Sequence, residues 1–423
     1  MVILIGAALL MLPISAQAHT VTPFHEALFT ATSAVCVTGL VVRDTASHWS
    51  AFGQVVLMVL IQIGGLGVIT VGASFSLLSG RRISLSQRGR MQEAMSAPKV
   101  GGIVRLTGFV IRSSLVMEGI GALCMLPVFC RDFGVSGIWK AIFHSVSAFC
   151  NAGFDLMGTP DTPFVSLTAY RADPVISLTI SALIVIGGIG FLTWDDVRTN
   201  RLHFHRYRLQ SKVILTSTAL LILLPTLYFF FFEFKGVTPQ ERLLLSLFQS
   251  ITPRTAGFNT ADYTSLSSSG RGLTILLMFI GGSPGSTAGG IKTTTIAVLV
   301  ANAFAVFRRQ KSPEMFGRRM EEKAVHDAAA IFTLYLVLSL TGAFTISTVE
   351  GLPLSECLFE TTSAIATVGL SLGLTPHLGI VSQGILIFLM FIGRVGGLTM
   401  IYAALSGSKS SVARLPQERI TVG

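Results

Sequence analysis

Four stretches of the sequence share a pattern that ends in a glycine, and their spacing constrains the fold more than any other feature. Each has an apolar residue ten positions before that glycine. The stretches are Phe29–Leu40, Phe143–Phe154, Leu247–Phe258 and Phe359–Leu370. Their glycines lie 114, 104 and 112 residues apart. Such even spacing indicates an internal repeat, which decides the architecture before any single motif does.

A second motif follows each of the first ones and carries a threonine seven residues after an isoleucine. It occurs as IGGLGVIT, IGGIGFLT, IGGSPGST and IGRVGGLT at Ile63–Thr70, Ile186–Thr193, Ile280–Thr287 and Ile392–Thr399. The chain is therefore predicted to contain four copies of one unit: an apolar helix, a short segment that ends in glycine, and a second apolar helix with a glycine-rich middle. The predicted units are residues 1–80, 81–200, 201–310 and 311–423.

Composition places these units in a membrane. Of the 423 residues, 51% are hydrophobic and only 12% are charged, whereas soluble domains carry about 25% charged residues. Apolar runs recur at about the 20-residue length that crosses a bilayer. The net charge of +10 would suggest nucleic acid as a partner of a soluble protein. Here the basic residues fall in blocks between the apolar runs, which is typical of cytoplasmic loops, and no nucleic-acid partner is expected.

The basic blocks also predict the topology. They follow the second apolar helix of every unit, at Arg81–Arg105, Arg198–Lys212, Arg308–Lys323 and Lys409–Arg419. By the positive-inside rule, every junction between units is cytoplasmic, so each unit crosses the membrane an even number of times. The glycine-ended segment must then enter and return as a re-entrant loop. We predict an all-α membrane protein with eight spanning helices and four re-entrant pore helices in pseudo-fourfold symmetry around one ion pathway.

The four re-entrant loops indicate what passes along that pathway. The C-terminus of each short pore helix carries a partial negative charge that favours a cation on the axis. The residue before each glycine differs between the loops, so the ligands that they share are backbone carbonyls, with glycine allowing the unusual φ. Rings of carbonyls replace the hydration shell in potassium filters. No ring of Asp or Glu lies beside the glycines, which disfavours a carboxylate filter for divalent cations.

The loop sequences TSAVCVTGL, SAFCNAGF, TPRTAGF and SAIATVGL resemble the pore loops of the Trk/Ktr/HKT superfamily of potassium transporters. Over nearly the whole chain, the likeness is to bacterial KtrB-type membrane subunits. It implies K⁺ uptake across the cytoplasmic membrane through a single filter with one glycine per loop. The filter residues that it implies are Val37, Thr38, Gly39, Leu40, Asn151, Ala152, Gly153, Phe154, Thr255, Ala256, Gly257, Phe258, Thr367, Val368, Gly369 and Leu370.

The resemblance also implies partners and an ion preference. KtrB-type subunits are homodimers seated on a cytosolic nucleotide-binding ring of the KtrA type, so ATP or ADP would act on that ring and not on this chain. Plant relatives with serine at the first filter glycine favour Na⁺, so Gly39 implies a preference for K⁺. A dependence on Na⁺ stays open.

The third copy of the second motif differs from the others. Gly281–Thr295, GGSPGSTAGGIKTTT, half-matches the phosphate-binding pattern G-x-x-x-x-G-K-[ST], but Ile291 separates Gly290 from Lys292 and no βαβ context follows. The resemblance implies instead an intramembrane gate below the filter; a glycine kink for close helix packing is the alternative. The predicted gate residues are Gly281, Gly282, Ser283, Pro284, Gly285, Ser286, Thr287, Ala288, Gly289 and Gly290, together with Lys292 and Arg394.

Two arginines, Arg394 and Arg254, are predicted to lie within the membrane, where a charge is costly. Arg394 replaces a glycine of the other units, and a mid-membrane charge costs about 2.5–3.5 kcal/mol, so it is expected to face a cavity. It either acts in permeation and gating or anchors loop carbonyls. Arg254 lies three residues before Gly257, where a charge on the axis would repel K⁺. We expect it to point behind the filter, pair with a carboxylate such as Glu360, and support the filter.

Other residues keep two interpretations. Cys36 and Cys150 occupy the position of Arg254 in their units and are predicted to be packing residues, with a redox switch as the alternative. The five cysteines include no C-x-x-C pair that would indicate a zinc site. Asp155 either draws cations to the outer mouth or is a solvated loop charge. The basic linker Arg201–Lys212 either contacts a regulatory partner or anionic lipid, or only sets topology.

Alternative functions are weaker. Alternating-access carriers often use inverted repeats, whereas these units share one orientation, which favours a channel-like pathway. An exported, membrane-anchored enzyme would need a base and an acid near Lys292, and no Ser/His/Asp or paired-carboxylate set is present, so an enzyme is not expected. Ala16–Ala18 resembles a signal-peptidase site, but the segment before it lacks a basic start and is predicted to be a retained first helix.

Overall fold

The computed structural model describes residues 1–67, 89, 92, 103–201, 203–310 and 312–396, and most of their regular structure is helical. The helices are α1 (Val2–Leu10), α2 (Phe24–Val35), α3 (Thr45–His48), α4 (Ala51–Leu66), α5 (Ile103–Phe133), α6 (Ser136–Phe149), α7 (Pro174–Gly188), α8 (Phe191–Asn200), α9 (Leu209–Tyr228), α10 (Pro239–Ile251), α11 (Ser268–Phe279), α12 (Thr293–Phe307), α13 (Glu322–Glu350), α14 (Leu354–Ile365) and α15 (Ile380–Val395). Strands β1 (Glu314–Met315) and β2 (Arg318–Arg319) form an antiparallel hairpin.

Single helical turns lie between these elements, at Pro13–Ser15, Thr168–Tyr170, Phe204–Arg206, Tyr263–Ser265 and Thr375–His377, and a π-helical turn at Phe229–Glu233 extends α9. Part of the predicted topology signal lies outside the described residues. It comprises the basic residues Arg81, Arg82, Arg88, Arg90, Lys99, Lys311, Lys409, Arg414 and Arg419, and the second-motif residues Thr70 and Thr399 also lie outside.

The order of elements repeats along the chain. Each repeat contains a first helix, a pore helix packed against it, and a second helix. The pore helices are α2, α6, α10 and α14, and their partners are α1, α5, α9 and α13. The apolar residue ten positions before the glycine anchors this packing, because Phe29, Phe143 and Phe359 are fully buried. Leu247, its counterpart in the third repeat, is only partly buried.

Contacts between repeats close a circle. The second helix of each repeat packs against the pore helix of the next, and the last repeat packs back onto the first. The contacting pairs are α4 with α6, α7 with α10, α11 with α14, and α15 with α2. The four pore helices are thereby held around a common centre, with their C-terminal ends buried.

Three of the described helices are long and apolar enough to cross a membrane: Ile103–Phe133, Leu209–Glu233 and Glu322–Glu350. A fourth crossing is possible if α7 and α8, which meet at a 95° bend, form one span. Shorter apolar helices are α4, α12 and α15. The count of eight spans therefore stays a prediction. The bend lies at Gly190, whose φ of 89° an L side chain rarely adopts.

Candidate functional site

Each pore helix ends in a turn that brings its glycine to the centre. In all four repeats, the residue two before the glycine has a left-handed φ, and in three of them the next N–H bonds at 2.8 Å to the carbonyl five residues back. The left-handed residues are Val37, Asn151, Thr255 and Thr367. This is a Schellman-type helix end. The third repeat differs, because Ala256 N–H donates to the Thr252 carbonyl only four residues back, at 3.0 Å.

The four glycines lie against one another in a closed ring, which we call the glycine ring. They have φ between 71° and 92° and are Gly39, Gly153, Gly257 and Gly369. A methyl group added to each would collide with the carbonyl oxygen before the next glycine, at 2.5–2.7 Å for the first three and closer still for Gly369. These oxygens belong, in order, to Ala152, Ala256, Val368 and Thr38. No side chain can enter this ring without moving the backbone that forms it.

Hydroxyl groups behind the ring hold it in two different ways. In the first and fourth loops, Ser33 and Ser363 accept the N–H of the filter glycine, at 3.0 and 3.1 Å. In the second and third loops, Ser147 and Thr252 donate to the carbonyl just after the glycine, at 2.7 and 2.6 Å. Our sequence analysis did not single out these residues, although a serine or threonine stands five or six positions before every filter glycine.

Within the described part of the chain, the buried side-chain oxygens of Thr38, Thr255 and Thr367 have no hydrogen-bond partner. All three belong to the predicted filter. A buried hydroxyl without a partner is costly, and a cation or a water molecule on the pathway would satisfy it.

A vestibule of about 360 Å³ lies over the glycine ring and is lined by all four ring glycines. Asp44, Asp155 and Asp262 also line it. Asp155 therefore faces the mouth of the ring, although its carboxylate also accepts the Met157 N–H at 3.0 Å. Burial and the neighbouring charge of Asp44 raise the pKa of Asp155 to about 6, despite the hydrogen bond from Met157.

The predicted gate loop, Gly281–Ile291, lies against the inner side of two filter loops. Gly289 faces the hydroxyl of Thr367, Gly290 faces the Ala366 carbonyl, and Gly281 faces the Thr255 methyl group. These contacts are so close that a β-carbon at any of the three glycines would displace a neighbour. The loop thus occupies the position immediately next to the filter residues of the third and fourth repeats.

The bend between α7 and α8 docks the gate loop. Ser283 N–H donates to the Gly188 carbonyl at 3.0 Å, and Phe191 N–H donates to the Gly285 carbonyl at 2.8 Å. The Thr287 hydroxyl donates to the Phe149 carbonyl at the end of α6, at 3.0 Å. The second repeat therefore binds the loop of the third. We did not predict this docking site; its only sequence signal is the glycine run of IGGIGFLT.

Two cationic side chains hold the gate loop by its carbonyls. Arg394 donates to the Thr287 carbonyl at 2.6 Å and to the carbonyls of Gly64 and Gly65 at the end of α4. Lys292 folds back on the loop and donates to the carbonyls of Ala288, at 2.8 Å, and Gly289, at 3.3 Å. The structure thus brings Arg394 to loop carbonyls, which is one of the two roles that the sequence left open for it.

The expected pairing of Arg254 with Glu360 is wrong. Glu360 is fully buried and accepts hydrogen bonds from Ser371, Leu372 and Thr375, at 2.6–2.9 Å, on the segment after its own filter loop. These local donors satisfy the carboxylate within the fourth repeat. Arg254 is also buried and points toward α9, where it donates to the Thr218 hydroxyl at 3.3 Å.

Cys36 and Cys150 are buried, and all five cysteines, which lie in the described part of the chain, are free. Cys150 packs on the backbone of α4, since a methyl group at Gly65 would collide with its sulfur. A buried acid that we did not single out, Glu118 on α5, lies beside it and accepts a hydrogen bond from Gln62 at 3.0 Å.

Comparisons with known proteins give one family model and several similar relatives. Residues 2–412 match the family model described as TrkH, cation transport protein. The potassium/sodium uptake protein NtpJ of Enterococcus hirae is 40% identical, over 100% of this chain and 94% of that protein. The Ktr system potassium uptake protein B of Bacillus subtilis is 39% identical, with the same coverage of each chain.

A solved structure has the same fold. The potassium transporter TrkH from Vibrio parahaemolyticus aligns with a TM-score of 0.75 over 95% of this chain and 83% of that chain. The sequence identity is 18%, so this likeness concerns the fold alone.

Proposed function

The chain belongs to the TrkH family of cation transport proteins, and from this membership we propose that it takes up K⁺ across the cytoplasmic membrane as the ion-translocating subunit of a Ktr- or Trk-type system. Relatives named as potassium uptake proteins support the ion. A family of transport proteins implies a transporter and not an enzyme.

The glycine ring is the observation that carries this proposal. Four loops meet backbone to backbone, with carbonyl oxygens between them and with no space for a side chain. Such an arrangement replaces water around a monovalent cation by carbonyl dipoles. The circular packing of helices supports the pseudo-fourfold, eight-span architecture, in which the ions pass along the axis of the ring.

The gate loop controls this pathway in our proposal. It lies next to the filter residues Thr255 and Thr367, and Arg394 and Lys292 fix its carbonyls there. Ions pass when the loop leaves this position. The signal that moves the loop comes from a cytosolic nucleotide-binding ring on which a homodimer of this chain is seated. This hypothesis rests on the resemblance to KtrB-type subunits.

Gly39 sets the ion preference. A side chain there would meet the Ala152 carbonyl at 2.6 Å and disturb the distances in the ring. One relative is named as a potassium/sodium uptake protein, so Na⁺ is the second ion to test, either as a competitor or as a co-ion.

Purified protein in liposomes tests the proposal through uptake of radioactive Rb⁺ as a substitute for K⁺, in competition with K⁺ and Na⁺. We expect wild-type uptake to be blocked by K⁺ more than by Na⁺, and Gly39→Ser to shift this preference toward Na⁺. Gly384→Ser is the matched control, because nothing lies within 4 Å of a β-carbon at Gly384. Well-folded protein without uptake, or an unchanged preference in Gly39→Ser, would argue against the filter.

A further inference from the structure

A groove between α9 and α12 opens sideways from the flank of the gate loop. It has a volume of about 510 Å³, within the range of small-molecule sites. Its walls are mostly apolar and include Val213, Leu220, Leu221, Ile296, Val300 and Phe304. Leu220, Val300 and Phe304 are 52%, 48% and 58% exposed. The groove therefore faces the hydrocarbon of the membrane rather than the interior of the protein.

One end of this groove is positively charged. Arg308, which follows the last turn of α12, lines it together with Gln310. In the described ranges, no carboxylate lies within ion-pair distance of Arg308. Glu314 also lines this end but stands opposite Arg319 in the hairpin. The end of α12 contributes about half a negative charge, which the full positive charge of Arg308 outweighs.

We propose that this groove binds one anionic phospholipid of the cytoplasmic leaflet, with an acyl chain between α9 and α12 and the phosphate at Arg308 and Gln310. The basic block after α12 is predicted to be cytoplasmic. From Val213 to Leu221, the groove rises about 12 Å along α9, close to half of the roughly 30 Å hydrocarbon thickness. A guanidinium group can bind a phosphate through two hydrogen bonds.

The deep end of the groove reaches the gate loop. Ile280 precedes the gate loop, and Thr293 follows it after Lys292. Both Ile280 and Thr293 line the groove. Thr293 N–H donates to the Gly282 carbonyl at 2.9 Å, and the hydroxyls of Thr293 and Ser283 lie 3.2 Å apart. A lipid chain at this end contacts the point where α12 joins the loop and restrains its movement. This lipid site requires that the chain lies in a membrane, but it does not require that the transported ion is K⁺.

Native mass spectrometry of the purified full-length protein tests the proposal, with phosphatidylglycerol and phosphatidylcholine of identical acyl chains as probes. We expect one retained phosphatidylglycerol per chain, at several times the occupancy of phosphatidylcholine. Arg308→Gln should weaken retention about fivefold, the value of one basic residue near anionic lipid. Arg309→Gln is the matched control, since Arg309 is adjacent and exposed but does not line the groove, and it should retain the lipid as the wild type does.

Two further variants separate a groove site from general surface charge and from a protein partner. Ala301→Trp fills the groove and should abolish retention, with folding checked by the melting temperature. Val300→Cys, oxidised in membranes, should yield no disulfide-linked dimer. Equal retention of both lipids by the wild type, or equal losses in Arg308→Gln and Arg309→Gln, would overturn the proposal. A cross-linked Val300→Cys dimer would assign the groove to a second copy of the chain instead.

Discussion

The glycine ring and the gate loop both come from segments of the repeated unit, but different kinds of contact hold them. The ring contains one equivalent glycine from each repeat, and its backbone contacts leave no space for an added methyl group. The gate loop belongs to one repeat only, and it is held by polar bonds from the bend between α7 and α8, from Arg394 and from Lys292. Backbone contacts around the full circle hold the ring, with hydroxyl groups behind it, whereas hydrogen bonds that water can replace contribute much of the hold on the gate loop, as its proposed movement requires.

The largest effect should come from the ring. Gly369→Ala places a methyl group against the Thr38 carbonyl at a φ of 91°, a conformation that costs an L residue about 1–2 kcal/mol before any collision. We expect Rb⁺ uptake into liposomes to be abolished. Gly384→Ala on α15, where nothing lies within 4 Å, should transport normally. Uptake by Gly369→Ala at half the wild-type rate or more would show that ions do not pass through the ring.

Loss of the arginine tether, the hydrogen bonds that Arg394 donates to the gate loop, should have the next largest effect, and it should raise uptake rather than abolish it. Arg394→Gln removes charge-assisted hydrogen bonds to the gate loop and to α4, each worth about 1.5–3 kcal/mol. We expect uptake without any regulatory partner to rise about 10- to 100-fold. Arg131→Gln, which changes a more exposed ion pair with Asp132, is the control. A fall in uptake with intact folding would contradict the tether and favour a direct role in permeation.

The lysine tether should be weaker, because both of its hydrogen bonds lie within the third repeat. Lys292→Met keeps the apolar stem and removes the bonds to Ala288 and Gly289. Uptake without a partner is expected to rise about fivefold, the equivalent of roughly one hydrogen bond. Lys235→Met, which removes a cation near the Phe232 ring, should leave uptake unchanged. An effect of Lys292→Met as large as that of Arg394→Gln would mean that the two tethers do not differ.

The vestibule should give the smallest effect. The pKa of Asp155 is raised to about 6, so its carboxylate becomes protonated as the external pH falls from 7.5 to 5. The vestibule then loses a negative charge, and fewer cations collect above the ring. Initial uptake rates should fall about twofold over this range, and Asp155→Asn should remove that part of the dependence. Asp161→Asn, on the same exposed loop, is the control. Faster uptake on acidification would contradict this prediction.

Much of the glycine ring was predictable from the sequence, because a recurring glycine itself indicates an unusual backbone conformation. The ring glycines recur at a fixed distance from an aromatic or aliphatic residue, and a glycine at a left-handed position constrains the chain wherever it occurs. The sequence also set the glycine-rich segment of the third repeat apart, since only that repeat lengthens its glycine run, whereas its role as a gate stays a prediction. The observed contacts of Gly289 and Gly290 with the fourth filter loop fit that position.

The side-chain partners were not predictable in the same way. Glu360 and Arg254 have suitable charges, but hydroxyl donors near Glu360 in sequence satisfy its carboxylate, and Arg254 points to a helix of its own repeat. Ser33 and Ser363 accept an N–H, whereas Ser147 and Thr252 donate to a carbonyl. This difference depends on which backbone atom each hydroxyl reaches. A sequence pattern gives the position of a side chain along a helix, whereas its direction depends on the packed neighbours.

The contact between the last repeat and the first has a consequence for biosynthesis. Gly369 meets Thr38, and Arg394 reaches the end of α4, a separation of about 330 residues in the chain. At a typical synthesis rate of about 5–20 residues per second, the first loop waits some tens of seconds for its neighbour. A chain interrupted before its fourth repeat therefore cannot close the glycine ring.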